Sequence, residues 1–388
     1  MMNELIDDKQ PPRLMYAASE TSADMLYALG FMVPDAALWF AVGGNATVVL
    51  SPLEVSRGRK EAPAGLHVTG VADLRRQMQL DSEASQGTAR LIAALSACHS
   101  IEAWDVPYDF PAGLAAELSD LGVHLNPLRG FWPERSCKKE HEVEAIADGV
   151  ALAQKGLNAA LRALRQASID EKGQLMWCGE LLTSEILRGE INAEIARHGG
   201  TASHTIAAPG PQGADPHCAG AGLIRAGEPV VIDVFPRVNA TGYHGDLTRT
   251  VVKGKVPAQV QTAFEAVNAA RLAAIAAVRP GIPGKSVHAA ASDVLENAGY
   301  RTDTDSDTPA GFIHGTGHGL GLEVHEAPRV SSKADQPLEA GNVITIEPGL
   351  YYPEWGGVRI EDVVVVTEDG CRNLTTAPVA IARLLHEK

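Results

Sequence analysis

Cysteine is scarce in this chain. The five residues, Cys98, Cys137, Cys178, Cys218 and Cys371, are odd in number and scattered, with no CxxC pair. Such a set argues against a disulfide framework and fits a reducing, cytoplasmic compartment. Long apolar runs are missing too. The most apolar helical stretch, residues 269–278, is short and interrupted by Arg271, so no membrane span is expected. The first ten residues are polar and acidic, unlike a signal peptide. Positive charge is in short supply, with 33 basic against 48 acidic residues and a net charge of −15. A surface of that sign repels phosphate backbones, which argues against nucleic acid as a partner.

With 388 residues, 45% hydrophobic and 21% charged, the chain fits a globular enzyme of two domains rather than a disordered polymer. The first third alternates strand signals (14–17, 38–42, 46–50) with helix signals (88–98, 111–121), which predicts an α/β domain. A turn-rich passage at 127–136 follows, and the boundary is placed so that residues 1–137 form the N-terminal domain and 138–388 the second. That second part repeats a plan. Residues 138–166 and 175–197 read as helices, the latter stopped by Gly199-Gly200, and lead to strand-like runs holding Asp233 and Asp246. Residues 258–278 and 284–298, split by Pro280-Gly281-Ile282-Pro283, read as helices and lead to runs holding Glu347 and Glu361. The aspartates are thirteen positions apart and the glutamates fourteen, as in a duplicated α+β unit.

Between the two carboxylate pairs lies IHGTGHGLGLEVHE, from Ile313 to Glu326. Four carboxylates and a histidine within apolar, β-branched segments are costly to bury without partners. Two divalent cations would balance the four negative charges, which predicts a dinuclear site. Oxygen donors joined by one imidazole favour Mn²⁺, Co²⁺, Fe²⁺ or Zn²⁺ over Ca²⁺ and Mg²⁺. Cys218, beside His217, reads as a small thiol rather than a ligand, because the other donors are hard oxygens. Gly315, Gly317, Gly319 and Gly321 let the backbone approach closely around His318.

The arrangement resembles the pita-bread metallopeptidases, in particular the proline-specific branch of prolidase and aminopeptidase P. The resemblance is strong over about residues 138–380 and looser over the first third. It implies a pita-bread catalytic domain with a smaller α/β N-terminal domain of creatinase/prolidase type. It also implies two metals per subunit, one held by Asp233 and the other by His318 and Glu347, with Asp246 and Glu361 bridging both. A hydroxide shared by the metals would attack the peptide bond, with Glu347 carrying the proton to the leaving nitrogen. His217 and His325 would face the scissile carbonyl or leaving group, and His314 the product-side residue. Val324 and Arg329 complete the expected substrate-binding set, Arg329 standing where prolidases place a carboxylate-binding arginine. Arg359 is counted with that set as well, although its strand parity with Glu361 suits pairing with ligand carboxylates. His204, His244 and His288 are left as structural.

The activity implied is cleavage before proline in Xaa-Pro dipeptides, by a homodimer. The alternative is an Xaa-Pro aminopeptidase acting on longer peptides. A metal-free creatinase-like hydrolase and a non-catalytic binding module rank lower, since relatives of those kinds have lost ligands that this chain retains. One departure stands out. Asp233 is followed by Val-Phe-Pro236-Arg237 and a hairpin about two residues longer than usual for the family, and Pro236 is expected at a bulge or an edge.

Overall fold

Apolar residues alternate in facing along the early strands, and each face of the resulting sheet meets its own core. The computed structural model describes residues 11–80, 85–305 and 307–379. Residues 1–10, on which the expectation about a signal peptide rests, lie outside the described residues. The chain divides into two compact units, Met1–Pro133 and Glu134–Lys388.

In the first unit the elements are β1 (Arg13–Ala17), α1 (Ala23–Leu29), β2 (Ala37–Val42), β3 (Asn45–Leu50), α2 (Val55–Glu61), β4 (Leu66–Gly70), α3 (Val71–Gln77), α4 (Thr88–His99), β5 (Ala103–Pro107), α5 (Ala112–Asp120) and β6 (His124–Leu128). The six strands form one mixed sheet in the order β4-β3-β2-β1-β5-β6. Along β2, Trp39 enters one core with Met15 and Val48, while Leu38 and Phe40 enter the other with Leu14 and Trp104. This is the period of two that a strand imposes. It yields the α/β layer expected of this third of the chain.

The second unit opens with α6 (Glu140–Gln166), in which Glu142 reaches back to accept from the Lys139 amide at 2.9 Å, one half of a capping box. A small meander follows: β7 (Ser168–Ile169), β8 (Leu175–Trp177) and β9 (Glu180–Leu181). The expectation of a helix over 175–197 is therefore corrected. Its first part is a hairpin, because Cys178 and Gly179 take left-handed φ values of 52° and 86°, as a two-residue type I′ turn requires. Thr183 then caps α7 (Ser184–Arg197), accepting from the Ile186 amide.

Next come β10 (Gly200–Thr201), β11 (Ile206–Pro209), β12 (Pro229–Asp233), β13 (Arg237–Val238) and β14 (Thr248–Val252). Strands β11, β12 and β14 make an antiparallel sheet, whose apolar residues share a core with α6 and α7. Pro236 falls in the break between β12 and β13, where no ladder amide is required of it. The second half repeats the order with α8 (Ala258–Ala277) and α9 (Gly284–Asn297). Its strands are β15 (Gly317–Gly319), β16 (Glu326–Val330), β17 (Val343–Ile346), β18 (Gly349–Tyr352), β19 (Gly356–Arg359), β20 (Asp362–Val366) and β21 (Cys371–Asn373). Five of these form a sheet in the order β16-β15-β17-β20-β21, and β18 and β19 form a hairpin. Their apolar faces share a core with α8 and α9.

The halves meet where β19 runs beside β14. Thr250 Oγ1 accepts from the Arg359 amide at 2.9 Å and donates to the Arg359 carbonyl at 3.1 Å, and the Glu361 amide donates to the Thr248 carbonyl at 3.1 Å. Two helices followed by a sheet, twice, is the duplicated plan read from the sequence. Among the described residues no helix is long and apolar enough to cross a membrane.

Candidate metal centre and substrate face

The four carboxylates do not sit in mid-strand as the sequence suggested. Asp233 is the last residue of β12, Asp246 precedes β14, Glu347 follows β17, and Glu361 occupies the break between β19 and β20. At strand ends the chain is free of the alternation that would send residues to opposite faces, which lets Asp246, Glu347 and Glu361 gather, with the Asp233 charge acting on Asp246. His318, in the middle of β15, meets them there.

Close backbone packing makes this convergence possible. A Cβ at Gly317 would stand 1.9 Å from the Thr345 carbonyl oxygen, and one at Gly319 would stand 2.1 Å from that of Ala327. Only glycine on either side of His318 lets β15 lie between its neighbours. A Cβ at Gly245 would likewise stand 2.0 Å from the Gly149 backbone, so α6 presses directly on the segment that presents Asp246.

His318 is 5% exposed. Its Nδ1 donates to the Gly319 carbonyl at 3.1 Å, which directs Nε2 at the carboxylates, 3.2 Å from Glu347 Oε1 and 3.8 Å from Asp246 Oδ2. Ligand atoms of Asp246, His318 and Glu361, all buried, lie within 4.8 Å of one another. Hydroxyls hold the acids in place. Thr248 Oγ1 donates to Glu361 Oε2 at 2.8 Å, and Thr345 Oγ1 donates to Glu347 Oε1 at 3.3 Å while accepting from the His318 amide at 3.0 Å. Arg359 Nη2 lies 2.7 Å from Asp233 Oδ2.

The electrostatics are those of a site short of positive charge. Burial lifts the Asp246 carboxyl well above its ordinary range, and the neighbouring Asp233 charge adds to it. Burial does the same to Glu361, with Asp246 and Glu347 repelling it further. For Glu347 burial acts upward too, but the hydrogen bond and charge of His318 outweigh it and hold the carboxyl at about 2. Burial opposes charge on His318, yet Glu347 and Asp246 raise it to about 9. In this balance the four acids have two cations at hand, the His318 imidazolium and the Arg359 guanidinium beside Asp233. Asp233 Oδ1 is a further buried acceptor, with no hydrogen-bond partner among the described residues. Four carboxylates, one of them with an orphaned buried oxygen, and one imidazole fit divalent cations, which would displace the His318 proton.

A second group of residues lines the approach. The His325 ring packs edge-on against His318, with centroids 4.3 Å apart at 86°. Partial burial, then His318 and Arg329, hold its pKa below the ordinary value. His217 is exposed in the turn after the short 3₁₀ segment Gly210–Ala214, and its charge is felt by both His314 and His325. Arg329 is exposed on β16 and pairs in register with His318; directly opposed residues of an antiparallel pair share a face. Val324 is half-buried beside His325.

His314 is tied more tightly. Its Nδ1 donates to the Gly315 carbonyl at 2.7 Å, and its Nε2 accepts from the Tyr351 hydroxyl at 2.8 Å. Burial holds it neutral by lowering its pKa. Arg359 is 3% exposed, with nitrogens on Asp233 at 2.7 Å, the Tyr351 hydroxyl at 2.9 Å and Thr248 Oγ1 at 3.3 Å. Arg359 is thus buried against the Asp233 carboxylate, unlike the exposed Arg329 with which it was grouped.

Sequence reasoning missed Thr248, Thr345 and Tyr351. The threonines carried a usable signal, since each lies two positions from an expected ligand, the spacing that shares a strand face. Tyr351 carried none. It joins Arg359 to His314 only because the β18–β19 hairpin folds back with Tyr351 opposite Gly357.

Comparison with known proteins agrees with this architecture. The Xaa-Pro dipeptidase of Pyrococcus furiosus is 35% identical over 242 residues, 62% of this chain and 63% of that protein. The alignment thus spans less than two thirds of that relative's length. Among solved structures, Dipeptidase PepE from Mycobacterium ulcerans superposes with a TM-score of 0.74 at 29% identity, covering 96% of this chain and 93% of that one. The Xaa-Pro dipeptidase from Bacillus anthracis superposes with a TM-score of 0.80 at 22% identity over 98% and 97% of the two chains, a likeness of fold. Residues 144–368, more than half the chain and including all five expected ligands, match the model of one family. The chain belongs to metallopeptidase family M24.

Proposed function

We propose that this chain is a divalent-metal Xaa-Pro dipeptidase, with residues 138–388 as its catalytic domain. One observation carries the substrate assignment: exposed Arg329 is in register with His318, so a guanidinium stands on the strand next to the acidic cluster. An Xaa-Pro dipeptide presents a free proline carboxylate next to its scissile bond, and a guanidinium can take that carboxylate through two parallel hydrogen bonds. A longer peptide offers a neutral amide there instead.

Asp233, Asp246, His318, Glu347 and Glu361 would hold two divalent ions per subunit, manganese before cobalt, zinc or iron. Such ions, when bound, supply Lewis acidity toward the scissile carbonyl and toward water. The protein's own groups account for the rest. Glu347, its carboxyl ionised, accepts the proton of the attacking water and passes it to the proline nitrogen. His325 and His217 donate toward the carbonyl oxygen as negative charge develops there. His314, neutral and fixed between Gly315 and Tyr351, shapes the product side, and Val324 gives the prolyl ring an apolar wall. Arg359 steadies Asp233 from behind. The scattered free cysteines support placement in the cytoplasm, and the sequence resemblance supports a homodimer.

The test is release of proline from an Xaa-Pro dipeptide, set beside hydrolysis of the matching Xaa-Pro-Yaa tripeptide, after loading with manganese and after chelation. Metal-dependent preference for the dipeptide is expected. Preference for the tripeptide makes the chain an Xaa-Pro aminopeptidase instead, and no metal-dependent hydrolysis of either removes the reading.

A further inference from the structure

The loop that presents His325 is folded around a carboxylate for which the reaction above has no use. Glu326 Oε1 lies 2.6 Å from Lys138 Nζ, and Oε2 lies 2.7 Å from Arg135 Nη2. The Glu326 and Lys138 side chains are only 8% and 1% exposed. Oε2 also accepts from the Glu323 amide at 3.3 Å, and Arg135 reaches Glu323 Oε2 at 2.8 Å. On the inner side a Cβ at Gly321 would stand 2.4 Å from Glu326 Oε1. Residues 321–326 therefore wrap one carboxylate, and both cations that hold it come from the segment that opens α6.

An arrangement of this kind is expensive. Taking a lysine, an arginine and a glutamate out of water carries a desolvation cost that apolar residues of similar size would avoid. What it supplies is a fixed geometry. His325, the neighbour of Glu326, makes no hydrogen bond among the described residues, and its ring packs edge-on against that of His318. The next residue along the backbone is Glu326, whose side chain is held by Lys138 and Arg135.

We propose that Glu326, gripped by Lys138 and Arg135, is the positioning residue that holds His325 over the metal site. This rests on the reading of His325 as a substrate-facing donor. Loss of the grip should let the loop relax, and a small misplacement of a catalytic donor costs about 10- to 100-fold in rate.

The experiment is a double-mutant comparison on the metal-loaded, full-length protein, using Lys138→Met, Glu326→Gln, His325→Ala and the two combinations with His325→Ala. Glu326→Gln keeps the volume but removes the charge and one of the two accepting oxygens, so it loosens the grip with little change of shape and remains informative if Lys138→Met folds poorly. Each of these two changes should lower kcat by about 10- to 100-fold with KM and metal content unchanged, and Lys138→Arg should restore most of the rate. In the His325→Ala background neither change should slow the enzyme further. Losses that multiply with that of His325→Ala overturn the positioning role while leaving His325 as a donor. Loss of bound metal in Glu326→Gln overturns it as well. Near-full activity of His325→Ala alone overturns the reading of His325, and the positioning role with it.

Discussion

Arg359 and Asp233 come from opposite halves of the duplicated domain, yet Nη2 of one lies 2.7 Å from Oδ2 of the other. The contact is one-sided. The second oxygen of Asp233 is left with no hydrogen-bond partner among the described residues, and Arg359 continues through Tyr351 to His314. One buried guanidinium thus connects a proposed ligand on the first half to a proposed substrate histidine on the second.

Arg359→Met should therefore weaken metal binding without removing it, by about 10- to 100-fold in affinity, the usual cost of losing a group that orients a ligand. Calorimetric titration of the metal-free protein with manganese measures this directly. Unchanged affinity would mean that Asp233 needs no such support.

Stripping the metal should destabilise the fold, and more so as pH rises. Asp246 and Glu361 have carboxyl pKa values raised well above normal by burial, so the folded metal-free protein binds protons that the unfolded chain releases above about pH 4. Stability from that source is present at low pH and declines as pH climbs toward the folded values. His318 acts in the same direction. Its folded value of about 9 gives stability that is whole below about 6.5 and fades as pH rises through 9. Glu347, held at about 2, contributes no change above about pH 4.5. Bound metal replaces these protons, so manganese at a hundred times its Kd should restore about 2.7 kcal/mol at neutral pH. Melting curves with chelator and with manganese, taken between pH 5 and pH 9, should diverge with increasing pH. Parallel curves would show that the acids are relieved in some other way.

How far the sequence reaches depends on whether a residue's role is local. The gathering of Asp246, His318, Glu347 and Glu361, with Asp233 close enough for its charge to act on Asp246, was legible because their chemistry is unusual for the apolar runs they interrupt. The two-half plan was legible because helical and strand periodicities recur in the same order. Residues 175–197 misled because apolar spacing alone does not distinguish a short hairpin from a helical turn; the left-handed pair Cys178-Gly179 decides it. The grip of Lys138 on Glu326 spans 188 positions and leaves no local pattern. Tyr351 is similar, an apolar-run tyrosine whose hydroxyl acquires two partners only after β18 and β19 pair.

His325→Ala should separate catalysis from metal binding. Its ring touches that of His318 but lies outside the close cluster of ligand atoms. Metal content should stay near that of the parent protein while turnover falls on the order of 100- to 1000-fold, the cost of removing one donor aimed at a developing oxyanion. Metal loss in step with activity would make His325 a ligand.

Arg329 decides the substrate. Its guanidinium is exposed on β16, pairs in register with His318 and lowers the pKa of His325, so it stands at the edge of the site with no ion pair to a protein carboxylate among the described residues. If it takes the proline carboxylate, Arg329→Ala should raise KM for an Xaa-Pro dipeptide by about one to two decades, since a charge-assisted bidentate contact contributes roughly 1.5–3 kcal/mol. The same change should matter little for an Xaa-Pro-Yaa tripeptide or an amidated dipeptide, whose proline carries no charge there. An arginine that served only the protein's surface would contribute about 0–1 kcal/mol and be blind to peptide length. Steady-state kinetics of parent and variant on the three substrates therefore give two distinct patterns. A selective loss on the free dipeptide supports a dipeptidase. An equal loss on all three takes away the reason for preferring dipeptides, and the same metal site would then be better assigned to an aminopeptidase working on longer chains.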